Sequence, residues 1–250
     1  MTQLEQAIER LYAAFSRYPR PIKIECCPCG CTKPDATSHL VAVPLRELRF
    51  PDLEDYCFSG LTTQGTDDDF RYLLPRLFQG IAFENCSCNP EILFGKLRYA
   101  RWTDWSNDEA ASIKEYLRAL WGHGLNSFPL HTHMPAFPEI ETLLASIAVT
   151  HEDLEGYLRT WSQNTTGEAN EHLVQFVTLW GSDFSNGHTF NDGFWKDCKP
   201  QADELRNWLI QPDTIQRVVD CSHLLRKDGF EHLFLPALEV LQIESAVNQS

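Results

Sequence analysis

Gly65-Thr66-Asp67-Asp68-Asp69-Phe70-Arg71-Tyr72-Leu73-Leu74-Pro75-Arg76-Leu77-Phe78-Gln79-Gly80-Ile81 opens on a turn residue and a run of carboxylates. Phe70, Leu73, Leu74, Leu77, Phe78 and Ile81 then follow at helical spacing. Carboxylates in a first turn complement the helix dipole, so the stretch predicts a helix with its start marked. Pro75 falls inside the apolar pattern, where a kink is expected.

The same grammar recurs on both sides. Leu4, Ile8, Leu11, Tyr12 and Phe15 line one face of a helix over 2–17. Pro51-Asp52 and Asn89-Pro90-Glu91 are start signals that place proline in the first turn, where its missing N–H costs nothing. Ser106-Asn107-Asp108-Glu109 opens a helix expected to end at Gly122 and Gly124. Thr150-His151-Glu152-Asp153 supplies a threonine cap for a helix over 151–162, after one near 138–149. Further helices are expected at 166–182, 200–210, 212–226 and 229–246. His39 to Pro44 reads as a brief strand or a helix start.

The fold expected is therefore all-α: an irregular multi-helix bundle, with a HEAT-like α-solenoid as the alternative. The solenoid rests on an internal echo, in which Phe70 to Leu77 resembles Phe230 to Leu238. Their prolines, Pro75 and Pro236, stand 161 residues apart, near four repeats of about 40. Residues 1–250 are read as a single helical domain, with a soft boundary in the His- and Pro-rich loop 123–138.

A hydrophobic fraction of 43% and an aromatic fraction of 12% are enough for a sizeable core and exclude a disordered chain. No apolar run reaches the roughly 18–20 residues that span a bilayer, and the N-terminus has no signal-peptide core. A soluble, cytoplasmic protein is expected. The net charge of −14 disfavours nucleic acid and anionic membranes and suits a basic protein partner, although solubility alone also favours an acidic surface.

Nine cysteines are an odd number, and four of them crowd into Cys26-Cys27-Pro28-Cys29-Gly30-Cys31. In a reducing compartment disulfides are disfavoured, which leaves metal binding, a redox centre or plain loop thiols. Cys26-x-x-Cys29-Gly30 has the form of a zinc knuckle, and Cys86-Ser87-Cys88 is a second pair. Cys26, Cys29, Cys86 and Cys88 together match a tetrahedral structural zinc site, with Cys27, Cys31 and His39 as substitutes. A zinc ribbon sets its knuckles on a hairpin, and no hairpin pattern surrounds Cys86.

His131-Thr132-His133 sets two imidazoles on one side of an extended segment, the start of a metal-hydrolase site or a plain surface pair. Asp67-Asp68-Asp69 reads as a helix start rather than a cation site. The turn-rich stretch 183–193 is a candidate functional loop or a simple connection. The seven tryptophans are scattered near helix ends, which suits core packing rather than a stacking platform. No phosphate-binding glycine loop, nucleophile elbow or kinase signature is present.

Leu61-Thr62-Thr63-Gln64-Gly65, Asp69 to Leu77, and Pro90-Glu91-Ile92-Leu93-Phe94-Gly95-Lys96-Leu97-Arg98-Tyr99-Ala100 resemble a widespread group of bacterial helical proteins over roughly residues 20–120. That resemblance brings no activity and no catalytic residues. In general character, acidic helical proteins of this kind are similar to immunity proteins, which bind and silence a toxin made by the same cell. The expected function is a non-enzymatic protein-binding module, an immunity-type inhibitor of a basic toxin domain acting by steric occlusion. The alternatives are a metal-dependent enzyme using His131 and His133, and a helical scaffold with a structural zinc.

Overall fold

The computed structural model describes residues 1–29, 35–84, 88–128, 140–181, 193–227 and 229–248. Among these the fold is all-α, a multi-helix arrangement of eleven α-helices. They are α1 (Gln3–Ala14), α2 (Phe50–Ser59), α3 (Asp67–Phe83), α4 (Pro90–Tyr99), α5 (Asn107–Leu125), α6 (Ile140–Ala148), α7 (Glu155–Gln163), α8 (Gly167–Trp180), α9 (Lys199–Leu209), α10 (Pro212–Asp220) and α11 (Phe234–Asn248). No helix among the described residues is long and apolar enough to cross a membrane.

Capping explains most of the starts. Thr2 and Glu5 form a reciprocal capping box at α1, and Thr66 and Asp69 form another at α3. At α5, Ser106 and Glu109 do the same, with Ser106 Oγ donating to Glu109 Oε2 at 2.7 Å. The Asp67-Asp68-Asp69 run is thus a helix N-terminus. α3 continues unbroken through Pro75, which is buried.

The chain clusters into two compact units, and the division between Leu120 and Trp121 falls inside α5. In the first unit the Phe78 ring stacks on Tyr116 at 4.7 Å and meets Phe94 at 5.1 Å. The Tyr116 hydroxyl donates to the Phe78 carbonyl at 2.8 Å, so the buried phenol is satisfied. The Phe50 ring packs against Gly80 of α3, so close that a Cβ there would overlap the ring.

The second unit is built on tryptophan. Trp161 is fully buried, stacks on Trp208 at 5.0 Å, and meets Trp121 and Phe176 edge-on at 5.5 and 5.8 Å. Each indole N–H has an acceptor: Trp121 the Tyr157 carbonyl, Trp161 the Ala169 carbonyl, and Trp208 the Ser162 hydroxyl. Six of the seven tryptophans are buried, so they form core; Trp180 is half-buried.

Several expectations are corrected. α5 does not stop at Gly122; it runs through both glycines to Leu125, because Trp121, Gly124 and Leu125 are all buried and packing outweighs the local cost of glycine. α7 begins at Glu155, not His151. Thr150 folds back to donate to the Ile147 carbonyl, and His151 adopts a left-handed φ of 66°, so 151–153 form a turn. His39 lies in a 3₁₀ turn, Ser38–Val41. Pro75 sits deep in α3 and Pro236 in the exposed first turn of α11, so the two prolines of the echo occupy different structural positions.

Candidate functional site

The conspicuous sequence features of the first unit meet at one turn. Leu61 to Gly65 closes on itself, with Leu61 N–H donating to the Gln64 carbonyl at 2.8 Å. It then receives the cysteine segment: Cys27 N–H donates to the Thr63 carbonyl, and Gly65 N–H to the Glu25 carbonyl, each at 2.8 Å. Beneath it the Lys96 ammonium, 5% exposed, donates to the Phe58 and Gly60 carbonyls at 2.8 Å each. Lysine here closes the C-terminus of α2, and burial lowers its pKa while nearby Cys57 and Cys88 oppose that shift. The motif is thus structural: it anchors a turn.

The cysteines fall as follows. Contrary to the expectation that disulfides are disfavoured, Cys27 and Cys29 are joined by one, and Cys26 is half-buried opposite Gln64. Cys88 is buried beside the cap of α4, its thiol 3.6 Å from the Asn89 carbonyl. His39 Nε2 lies 2.7 Å from the Asp52 carbonyl. Cys31 and Cys86 lie outside the described residues, as do His131, His133 and all of 183–193 except Gly193. Among the described residues no group of three or more His, Cys, Asp or Glu is placed to hold a metal ion.

A polar cluster joins the segment after α1 to α3 and α5. Glu109, almost wholly buried, accepts from Tyr18 at 2.6 Å and from Arg17 at 2.9 Å. Burial alone would raise its pKa, but the hydrogen bonds of Tyr18 and Ser106 and the charge of Arg17 hold it below the ordinary value. Arg71 donates to the Tyr18 hydroxyl at 2.8 Å and stacks over Trp105 at 4.4 Å. Beside this cluster opens a cleft of about 620 Å³ lined by Tyr12, Phe15, Tyr18, Tyr72 and Pro44. Its charged rim is already closed: Arg46 makes a two-pronged pair with Glu9, both bonds 2.7 Å, and lies 3.6 Å above the Tyr12 ring. Burial pushes the Tyr12 hydroxyl up to about 12.

A second cleft, of about 440 Å³, opens between α7 and α9 in the second unit. Glu155, Leu158, Arg159 and Ser162 form one wall, and Glu204, Asn207, Trp208 and Gln211 the other. Glu204 Oε2 accepts from Leu154 N–H at 2.5 Å, so the carboxylate at the start of α7 comes from α9 rather than from Glu152 or Asp153. Deeper in this unit His172, 1% exposed, directs Nε2 at the Ser127 and Gly124 carbonyls, at 2.9 and 3.2 Å. Both contacts are acceptors, so Nε2 carries the proton. Nδ1 is buried with no partner among the described residues.

None of these clefts was singled out from the sequence, although one signal for the second was available. Residues 155, 158, 159, 162 and 204, 207, 208, 211 repeat the same i, i+3, i+4, i+7 spacing, each stripe opening on a glutamate. The other signal is charge. Residues 121–250 hold 18 of the 35 carboxylates but 7 of the 21 basic side chains, a net −11 against −3 for 1–120. Comparison with protein families, with curated proteins and with solved structures finds no match to the chain, so no activity or partner is carried to it from another protein.

Proposed function

We propose that the chain is a non-enzymatic protein-binding module, and most specifically a cytoplasmic immunity-type inhibitor that neutralises a basic bacterial toxin domain by steric occlusion. The observation that carries the reading is the concentration of charge: a net −11 over residues 121–250. Asp153, Glu168, Asp197, Asp203, Asp213 and Asp220 of that region are exposed. A field of this sign repels nucleic acid and anionic lipid and accelerates the approach of a basic protein surface. Toxins that act on nucleic acid or nucleotides need positively charged clefts, so an acidic helical surface is suited to cover one.

The test is co-expression with the product of the adjacent gene. A one-to-one complex that dissociates as salt rises, together with relief of that product's toxicity, is the expected result. Undiminished toxicity and no complex at low ionic strength would remove this reading.

A further inference from the structure

The cleft between α7 and α9 combines a tethered aromatic side chain with a carboxylate on each wall. Its floor is rigid, because Trp208 is 6% exposed, stacked on Trp161 and tied through its indole N–H to Ser162 at 2.7 Å. Leu158, 3% exposed, lines the cleft beside it. A glutamate stands at the head of each wall, Glu155 and Glu204.

One cation is already seated there. Arg159, its side chain 61% exposed, holds Glu155 at 3.0 Å across one turn of α7. An exposed pair of this spacing contributes little to stability, so another cation can displace it at little cost to the helix. The cleft of the first unit offers no such opening, since Arg46 grips both oxygens of Glu9 and lies against Tyr12.

We propose that the α7–α9 cleft seats a lysine or arginine side chain of a basic protein partner, an inference that rests on the protein-binding reading above and locates its contact. The aliphatic stem lies over the atoms of Leu158 and Trp208 that line the cleft, and Glu155 and Glu204 accept the charged head. Ser162, Asn207 and Gln211 supply neutral polar contacts around it.

The test uses the full chain and a ten-residue lysine peptide, with the same peptide acetylated on every lysine as control. The indole N–H resonance of Trp208 reports binding at the cleft. Two variants of equal charge change are compared: Glu155→Lys with Asn207→Lys at the cleft rim, and Gln216→Lys with Asp220→Lys on α10. All four positions are exposed. The expected result is a Trp208 shift with the lysine peptide alone, about a tenfold loss of affinity in the cleft variant and about twofold in the α10 variant. Equal losses in both, or binding that leaves Trp208 unmoved, would overturn the cleft while leaving the protein-binding reading in place. No binding of the lysine peptide at low salt would likewise overturn the cleft, while co-expression decides the protein-binding reading.

Discussion

At the scale of single residues, two helical glycines make opposite predictions from the same chemistry. Alanine is favoured over glycine inside a helix by about 1 kcal/mol. At Gly122 a Cβ meets nothing within 4 Å, so Gly122→Ala should stabilise the protein by up to about that amount. At Gly80 the added Cβ would lie 1.6 Å from the Phe50 ring, which is wholly buried and has no room to retreat. Overpacking of this kind costs about 1–3 kcal/mol, so Gly80→Ala should lower stability despite the gain in propensity. Urea unfolding of both variants measures the contrast, and a Gly80→Ala protein as stable as Gly122→Ala would mean that Phe50 repacks freely. His172 makes a third prediction. Burial lowers its pKa against the opposing pull of the Ser127 and Gly124 carbonyls and Glu168. The folded value therefore lies below the unfolded one, near 6.5, and the unfolded chain takes up the proton first. Its contribution is complete above about pH 6.5 and declines as pH falls from there towards the folded value. In a Tm-against-pH series, His172→Gln, which keeps a donor for the two carbonyls, should be flatter between about pH 6.5 and 5.5 than the parent. Parallel curves would show that His172 does not titrate on unfolding.

At the scale of elements, the turn 61–65 depends on a side chain from another helix. Lys96 satisfies the last carbonyls of α2, and a charged hydrogen bond to a buried group is worth about 1.5–3 kcal/mol. Lys96→Met keeps the apolar stem and deletes both bonds, so a loss of about 2 kcal/mol is expected. Faster hydrogen exchange at the amides of Cys27 and Gly65, which bond across this turn, should accompany it. A loss in overall stability with unchanged exchange at these amides would separate Lys96 from the turn. The same element shows what the sequence makes legible. Thr66 and Asp69 announce α3 correctly because a capping box is local, involving residues three apart. The start of α7 lies four residues beyond its local signal because its carboxylate comes from Glu204, fifty positions away. The end of α5 is not legible locally, because Trp121 packs on Tyr157 and Trp161 of α7, far along the chain. The clefts were invisible for the same reason: a stripe on α7 has meaning only once α9 lies beside it.

At the scale of the molecule, the two units differ in how their charge is balanced. In the first, Arg10–Asp108, Arg46–Glu9 and Arg17–Glu109 link separate parts of the chain. With a net −3 over 1–120, screening weakens attractions and repulsions alike. Over 121–250 the excess of −11 is repulsive, and self-repulsion destabilises a compact state. Raising salt from about 0.01 to 0.5 M shortens the screening length from roughly 30 Å to below 10 Å. Hydrogen exchange should therefore slow in 140–248 and change little in 1–120. An equal response in both would mean that the charge asymmetry is absorbed by solvent. The same salt should weaken the lysine peptide, because its attraction is screened together with the repulsion. Stability of the acidic unit and its affinity for a basic ligand thus move in opposite directions with ionic strength. A basic partner relieves by contact what salt relieves by screening, so binding and stabilisation of this unit have one electrostatic origin.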